Sequence, residues 1–222
     1  MKIELQKRIL SSLILIPLSF FFIIKGSYLF NIFLFIFFCL TIYEWHMMSK
    51  KKIYYFLGII FLIFSFFLTY SLRNESNEQS LLFFLFVIII CISTDVGGYI
   101  FGNLFKGPKL TKISPNKTYS GMIGSYFLAI ISSLLLVKNS NLIIGKSYEI
   151  TLELFVMVIL ISTTSQIGDL IVSFFKRLSK IKDTGNILPG HGGLLDRIDG
   201  LLFAMPVSYI IFYINVLKRE RK

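Results

Sequence analysis

Between residues 173 and 199 the chain reads SFFKRLSKIKDTGNILPGHGGLLDRID, a polar, glycine-punctuated stretch set between two strongly apolar runs. It carries Lys176, Arg177, Lys180, Lys182 and Arg197 as cations and Asp183, Asp196 and Asp199 as carboxylates. His191 stands in a PGHGG turn beside Gly192 and Gly193, where backbone can approach a ligand closely. Cations next to carboxylates at a membrane edge are the components of a metal-assisted phosphate site. Asp196 and Asp199 are three residues apart, so on a helix they share a face and Arg197 turns away from them. Helix capping is the plainer role for Asp196. For His191, turn packing and a phosphate contact are both open.

Two more carboxylates lie inside apolar runs, where charge is costly and marks function. Asp95 interrupts LLFFLFVIIICISTDVGGYIFGNLF, and Asp169 interrupts LELFVMVILISTTSQIGDLIVSFFKR. No Lys or Arg lies within one helical turn of either, so each needs a metal or a lysine from a polar loop. Asp169, approaching Asp196 and Asp199 from the preceding helix, would complete an oxygen cage for Mg²⁺, which takes one or two carboxylates plus substrate phosphates. For Ser162, Thr163, Thr164 and Ser165 the plainer role is hydrogen bonding between helices. A second polar loop, KGPKLTKISPNKTYSG, brings Lys106, Lys109, Lys112 and Lys117 with Ser114, Asn116, Thr118 and Ser120 to a helix start. Such a start seats anions, although a solvated basic loop would look the same. No GxxxxGK[ST] loop is present, so a P-loop nucleotide site is unsupported.

The elements that must position these groups are membrane helices. The 222 residues are 55% hydrophobic, with 24 Phe and a mean hydropathy of +0.75, more than a soluble core of this size could hide. Seven apolar runs, 9–24, 28–46, 53–72, 80–105, 120–137, 151–175 and 200–217, approach the roughly 20 residues a spanning helix needs. The expected fold is an all-α polytopic bundle of about seven transmembrane helices, with an eighth left open. Residues 1–79 would hold about three N-terminal helices, and 80–222 the catalytic region. The first run follows MKIELQKR without a small-residue cleavage pattern and reads as a retained anchor.

The net charge of +11 sits in short blocks between the runs, which excludes a nucleic-acid-binding face and marks topology instead. Lys2, Lys7 and Arg8, then Lys50, Lys51 and Lys52, put the N-terminus in the cytoplasm, and the two polar loops fall on that same side. The tail Lys218, Arg219, Arg221 and Lys222 departs from this rule if all seven runs cross. Cys39 and Cys91 lie inside apolar runs and read as inert. His46, beside Trp45 and Glu44, reads as part of the interfacial belt.

At these residues the chain strongly resembles the phosphatidate cytidylyltransferases, also called CDP-diacylglycerol synthases. Their signature, S-x-x-K-R-x-x-x-x-K-D-x-x-x-x-L-P-x-H-G-G-x-x-D-R-x-D, fits residues 173–199 without a gap. The stretch from Thr94 to Gly121 and the QIGDL around Asp169 are also similar to the family, so the resemblance covers about residues 90–210. Ser120 departs from it, standing where the family often has an acidic residue. The resemblance implies a multi-pass inner-membrane enzyme, active site to the cytoplasm, that joins CTP to phosphatidate and releases pyrophosphate with Mg²⁺. A second cation and a homodimer are left open. By this reading Asp169, Asp196 and Asp199 hold the metal and, with Lys182, are catalytic. Lys176, Arg177, Asp183, His191, Gly192, Gly193 and Arg197 would meet the nucleotide phosphates, with Ser114 and Lys117 from the other loop. Asp95 would serve a second cation or hold a lysine.

A CTP-dependent kinase of a polyprenol-type lipid would use similar carboxylates but release CDP. A secondary transporter would also bury Asp95 and Asp169, yet it predicts an inverted repeat and charge-poor loops, and neither is found here.

Overall fold

A computed structural model describes residues 13, 15, 17–75, 79–111, 113–145, 149–188, 190 and 192–220, the side chains of 144 and 216–220 excepted. Residues 17–25 are helical. The helices that follow are α1 (Ser27–Ser49), α2 (Tyr55–Asn74), α3 (Gln79–Phe105), α4 (Tyr119–Lys138), the short α5 (Ser140–Ile144), α6 (Leu152–Leu178) and α7 (Leu195–Glu220). No strand is found among the described residues, only the isolated bridges Lys109 to Thr118 and Leu188 to Gly192.

Six of these helices are long and apolar enough to cross a membrane. In a bilayer every backbone group must be satisfied within the segment, which selects helix for long apolar runs. Their outer faces carry large apolar side chains, with Phe35, Phe56 and Tyr99 each more than 60% exposed, an arrangement that fits lipid and not water. The chain is an all-α, multi-pass membrane protein. Of the run 9–24, residues 13, 15 and 17–24 are described, and 17–24 are helical.

Small residues set the helix crossings. At the α3–α4 crossing, a Cβ at Gly97 would stand 2.5 Å from the Gly124 carbonyl oxygen, and one at Gly121 would stand 2.7 Å from that of Gly98. Backbones in this close contact replace the hydrophobic driving force that lipid does not supply. At the α6–α7 crossing, a Cβ at Gly168 would meet the Phe203 ring at 2.7 Å, and one at Gly200 would strike Ser165 Oγ. Each of these two glycines is the chain neighbour of a carboxylate, Asp169 and Asp199. The two helices are therefore closely packed beside the acidic groups.

Polar residues inside the bundle serve packing as well. Thr94 Oγ1 and Ser162 Oγ are 2.8 Å apart between α3 and α6, and Tyr126 OH and Thr163 Oγ1 are 2.9 Å apart between α4 and α6. Thr163 and Thr164 also bond back to their own helix, at Ile159 and Leu160. Within the hydroxyl cluster of α6, Ser162 and Thr163 thus take the helix-to-helix role.

Candidate active site

The end of α1, the start of α2, the loop before α4, the end of α6 and the start of α7 meet at one rim of the bundle. The loop 106–118 is pinned there by Leu110 N–H donating to the Lys117 carbonyl at 2.7 Å and Tyr119 N–H to that of Pro108 at 3.1 Å. Ser114 accepts the Lys117 N–H through its carbonyl at 3.0 Å, so it shapes the turn that delivers Lys117. Thr118 caps α4, its Oγ1 accepting from Gly121 N–H at 3.1 Å. Ser120 accepts from Gly107 N–H at 3.2 Å and closes the base of the loop, a structural use for the position where an acidic group was the expectation.

Lys117 supplies the cation that Asp169 lacks on its own helix. Its Nζ is 2.5 Å from Asp169 Oδ2, and Ser173 Oγ donates to Asp169 Oδ1 at 3.2 Å. This joins the two polar loops in one site, as the lysine alternative for Asp169 requires. Asp95 is exposed on α3 and lies in electrostatic range of Asp169, Lys117 and Arg197. Asp199 is buried on α7, its Oδ1 accepting Gly200 N–H at 2.8 Å, in electrostatic range of Asp169, Asp95 and Lys176.

Asp196 is engaged differently. Oδ1 pairs with Lys176 Nζ at 2.7 Å, the side chains being 8% and 11% exposed. Oδ2 accepts from Thr184 N–H at 2.8 Å, Thr184 Oγ1 at 3.1 Å and Gly193 N–H at 3.2 Å. Asp196 therefore ties the signature loop to the first turn of α7, with Lys176 as its counter-ion; the amides it accepts from precede the helix, so it does not act as the N-cap. Asp196 and Asp199 both turn inward and Arg197 is exposed, as their spacing requires.

Asp95 and Asp199 each feel the charge of Asp169, and Asp196 pairs with Lys176. Among the described residues, no three His, Cys, Asp or Glu side chains converge as a ready cage for a metal ion. Arg177, Lys182 and Asp183 are exposed on the loop side, in reach of a solute and not of the bundle core. Gly192 has φ +82°, a left-handed conformation that a side chain would strain, and the space beside it is filled by Asp183 and Asp196. His191 lies outside the described residues.

Glu44 is the site component that the sequence reading passed over. It sits near the end of α1, 1% exposed, and accepts from Leu195 N–H at 2.7 Å, Leu194 N–H at 2.8 Å and Thr184 Oγ1 at 3.0 Å. A Cβ at Gly193 would meet Thr184 Oγ1 and come 2.6 Å from Glu44 Oε2, so this glycine makes room for the carboxylate and not only for a ligand. The signal was present in the sequence. Glu44 is a carboxylate closing an apolar run, the same feature that singles out Asp95.

The chain matches the Cytidylyltransferase family over residues 53–215, a span that begins well ahead of the motif-bearing region. A protein of Rickettsia bellii (strain RML369-C) named phosphatidate cytidylyltransferase is 34% identical over 219 residues, which cover 97% of this chain and 93% of that protein. A protein of the same name from Rickettsia felis (strain ATCC VR-1525 / URRWXCal2) is 35% identical over 219 residues, covering 97% and 94%. One from Staphylococcus saprophyticus, also so named, is 40% identical over 139 residues, covering 62% of this chain and 51% of that protein. The paired lysines and carboxylates at the rim, and similarity running through nearly the whole of two relatives, make this chain a member of the cytidylyltransferase family.

Proposed function

We propose that the chain transfers the cytidylyl group of CTP to phosphatidate, giving CDP-diacylglycerol and pyrophosphate for phospholipid synthesis. The observation that carries this reading is the Lys117–Asp169 pair, which draws the loop before α4 onto the gap-free signature of α6 and α7. The names of the relatives support the substrate pair.

Phosphatidate is a phosphate monoester with a second ionisation near about pH 6, so at neutral pH it is largely a dianion and attacks without a protein base. The protein's work is to bring two polyanions together and hold the attacking oxygen in line with the α-phosphorus. The exposed Arg177, Lys182 and Arg197 face the solute side and would offset triphosphate charge, with Lys117 at the meeting point of both loops. The lipid keeps its chains in the bilayer, and a site at the rim admits its phosphate sideways and the nucleotide from the cytoplasm. The basic residues of the loops support that orientation and an inner-membrane location.

The donors fit Mg²⁺: they are hard carboxylate oxygens, and Asp169 and Asp199 offer the one or two protein ligands that Mg²⁺ takes when phosphates complete its shell. Asp169 and Asp199 would hold it, with Asp196 beside them and Asp95 near enough to serve a second cation. When bound, the ion supplies neutralisation of the phosphates and of the departing pyrophosphate. Purified protein given CTP, Mg²⁺ and phosphatidate should release pyrophosphate only when all three are present. Pyrophosphate release that does not need the lipid would overturn the proposal.

A further inference from the structure

Among the described residues no cation is bonded to Glu44, and a buried carboxylate in that position is held by donors. Those donors are the first amides of α7 and the hydroxyl of Thr184. Thr184 has one hydroxyl proton, yet its Oγ1 lies 3.0 Å from Glu44 Oε2 and 3.1 Å from Asp196 Oδ2. The hydroxyl thus stands between the two acids. Glu44 fixes one side of it and Asp196 the other, and Asp196 in turn sets the place of Lys176.

Two glycines have their space defined by the same carboxylate. A Cβ at Gly185 would come 2.8 Å from Glu44 Oε1, and one at Gly193 would come 2.6 Å from Oε2. The signature loop is therefore wrapped around a side chain from α1. Trp45, next in the chain, reinforces this anchorage, its Nε1 donating to the Tyr55 carbonyl at 3.0 Å and its ring meeting Phe175 edge to face. Residue 44 lies ahead of the matched segment 53–215 and within the 219 residues aligned with the two Rickettsia relatives.

We propose that Glu44 is a positioning residue of the active site: from α1 it holds the first amides of α7 and Thr184, and so sets Asp196 against Lys176. This rests on the proposed cytidylyl transfer only for its kinetic arm. Losing such an outer support typically costs on the order of 10- to 100-fold in activity.

The test uses the full chain in lipid nanodiscs and the variant Glu44→Gln, which keeps the size but turns an amide NH₂ toward backbone donors. Amide hydrogen exchange is followed over 183–196 and, as an internal control, over the middle of α6. The expected result is faster exchange confined to 183–196. In the kinetic arm, kcat falls about 10- to 100-fold, with KM for CTP and for lipid changing less than about threefold. Glu44→Asp, one methylene short, should not rescue it, and Thr184→Val combined with Glu44→Gln should cost no more than the worse single change. Unchanged exchange over 183–196, or costs of the two variants that simply multiply, would overturn the proposal. If the wild-type protein turned over no CTP, the functional reading would fall and the exchange measurement would still decide the role of Glu44.

Discussion

Lys117 Nζ stands 2.5 Å from Asp169 Oδ2, joining the loop before α4 to the end of α6. The side chains are 25% and 29% exposed, so the pair adds only about 0–1 kcal/mol to stability. Its consequence is catalytic. Lys117→Ala should lower kcat/KM for CTP on the order of 10²-fold, as removal of a preorganised donor does, while leaving the unfolding midpoint in detergent nearly unchanged. Parallel steady-state kinetics and thermal unfolding check both halves.

The Lys176–Asp196 pair should behave in the opposite way. Both side chains are almost wholly buried, and Asp196 also holds Thr184 and Gly193 amides. Removing one partner of a buried pair leaves an uncompensated charge and costs about 3–5 kcal/mol. Asp196→Ala should therefore lose activity and lower the denaturation midpoint together. An Asp196→Ala protein as stable as the wild type would show that the pair does not hold the loop.

Asp169 and Asp199 sit beside Gly168 and Gly200, where α6 and α7 are closely packed. A methyl group at Gly168 would press on the Phe203 ring, and overpacking of this kind costs about 1–3 kcal/mol. Gly168→Ala should spread the two carboxylates and raise the Mg²⁺ concentration needed for half-maximal activity. Metal titrations of the wild type and the variant measure this directly.

Among the described residues no three acidic side chains form a cage, so a bound ion would depend on substrate phosphates for its shell. A chelator should abolish activity reversibly without shifting the thermal midpoint, because little folding free energy is linked to the metal before substrate binds. A large midpoint shift on chelation would contradict this.

Much of this arrangement was legible in the sequence because its causes are local. Runs of about 20 apolar residues become helices in lipid whatever their neighbours, so the six described spans lie within a few residues of their expected limits. The start of α7 was misplaced by hydropathy, which read residue 200 as the edge. The helix begins at Leu195, because LDRID is a polar first turn and the amides of Leu194 and Leu195 at its start are met by Glu44. A lysine partner for Asp169 was one of two open readings, and which lysine supplies it depends on the loop before α4 packing against α6. The link from Glu44 to Leu194 and Leu195 had no local signature, since its two ends meet only after α1 and α7 have packed. The pairing of Asp196 with Lys176 was hidden for the same reason: spacing fixes a face, and the identity of the nearest partner depends on the fold.

The most direct test of the central claim is where the label goes when the protein is given phosphatidate, Mg²⁺ and CTP labelled separately at the α- and γ-phosphates. The account predicts α-label in the lipid product and γ-label in pyrophosphate, in equal amounts. Transfer of γ-label to lipid with release of CDP would contradict it.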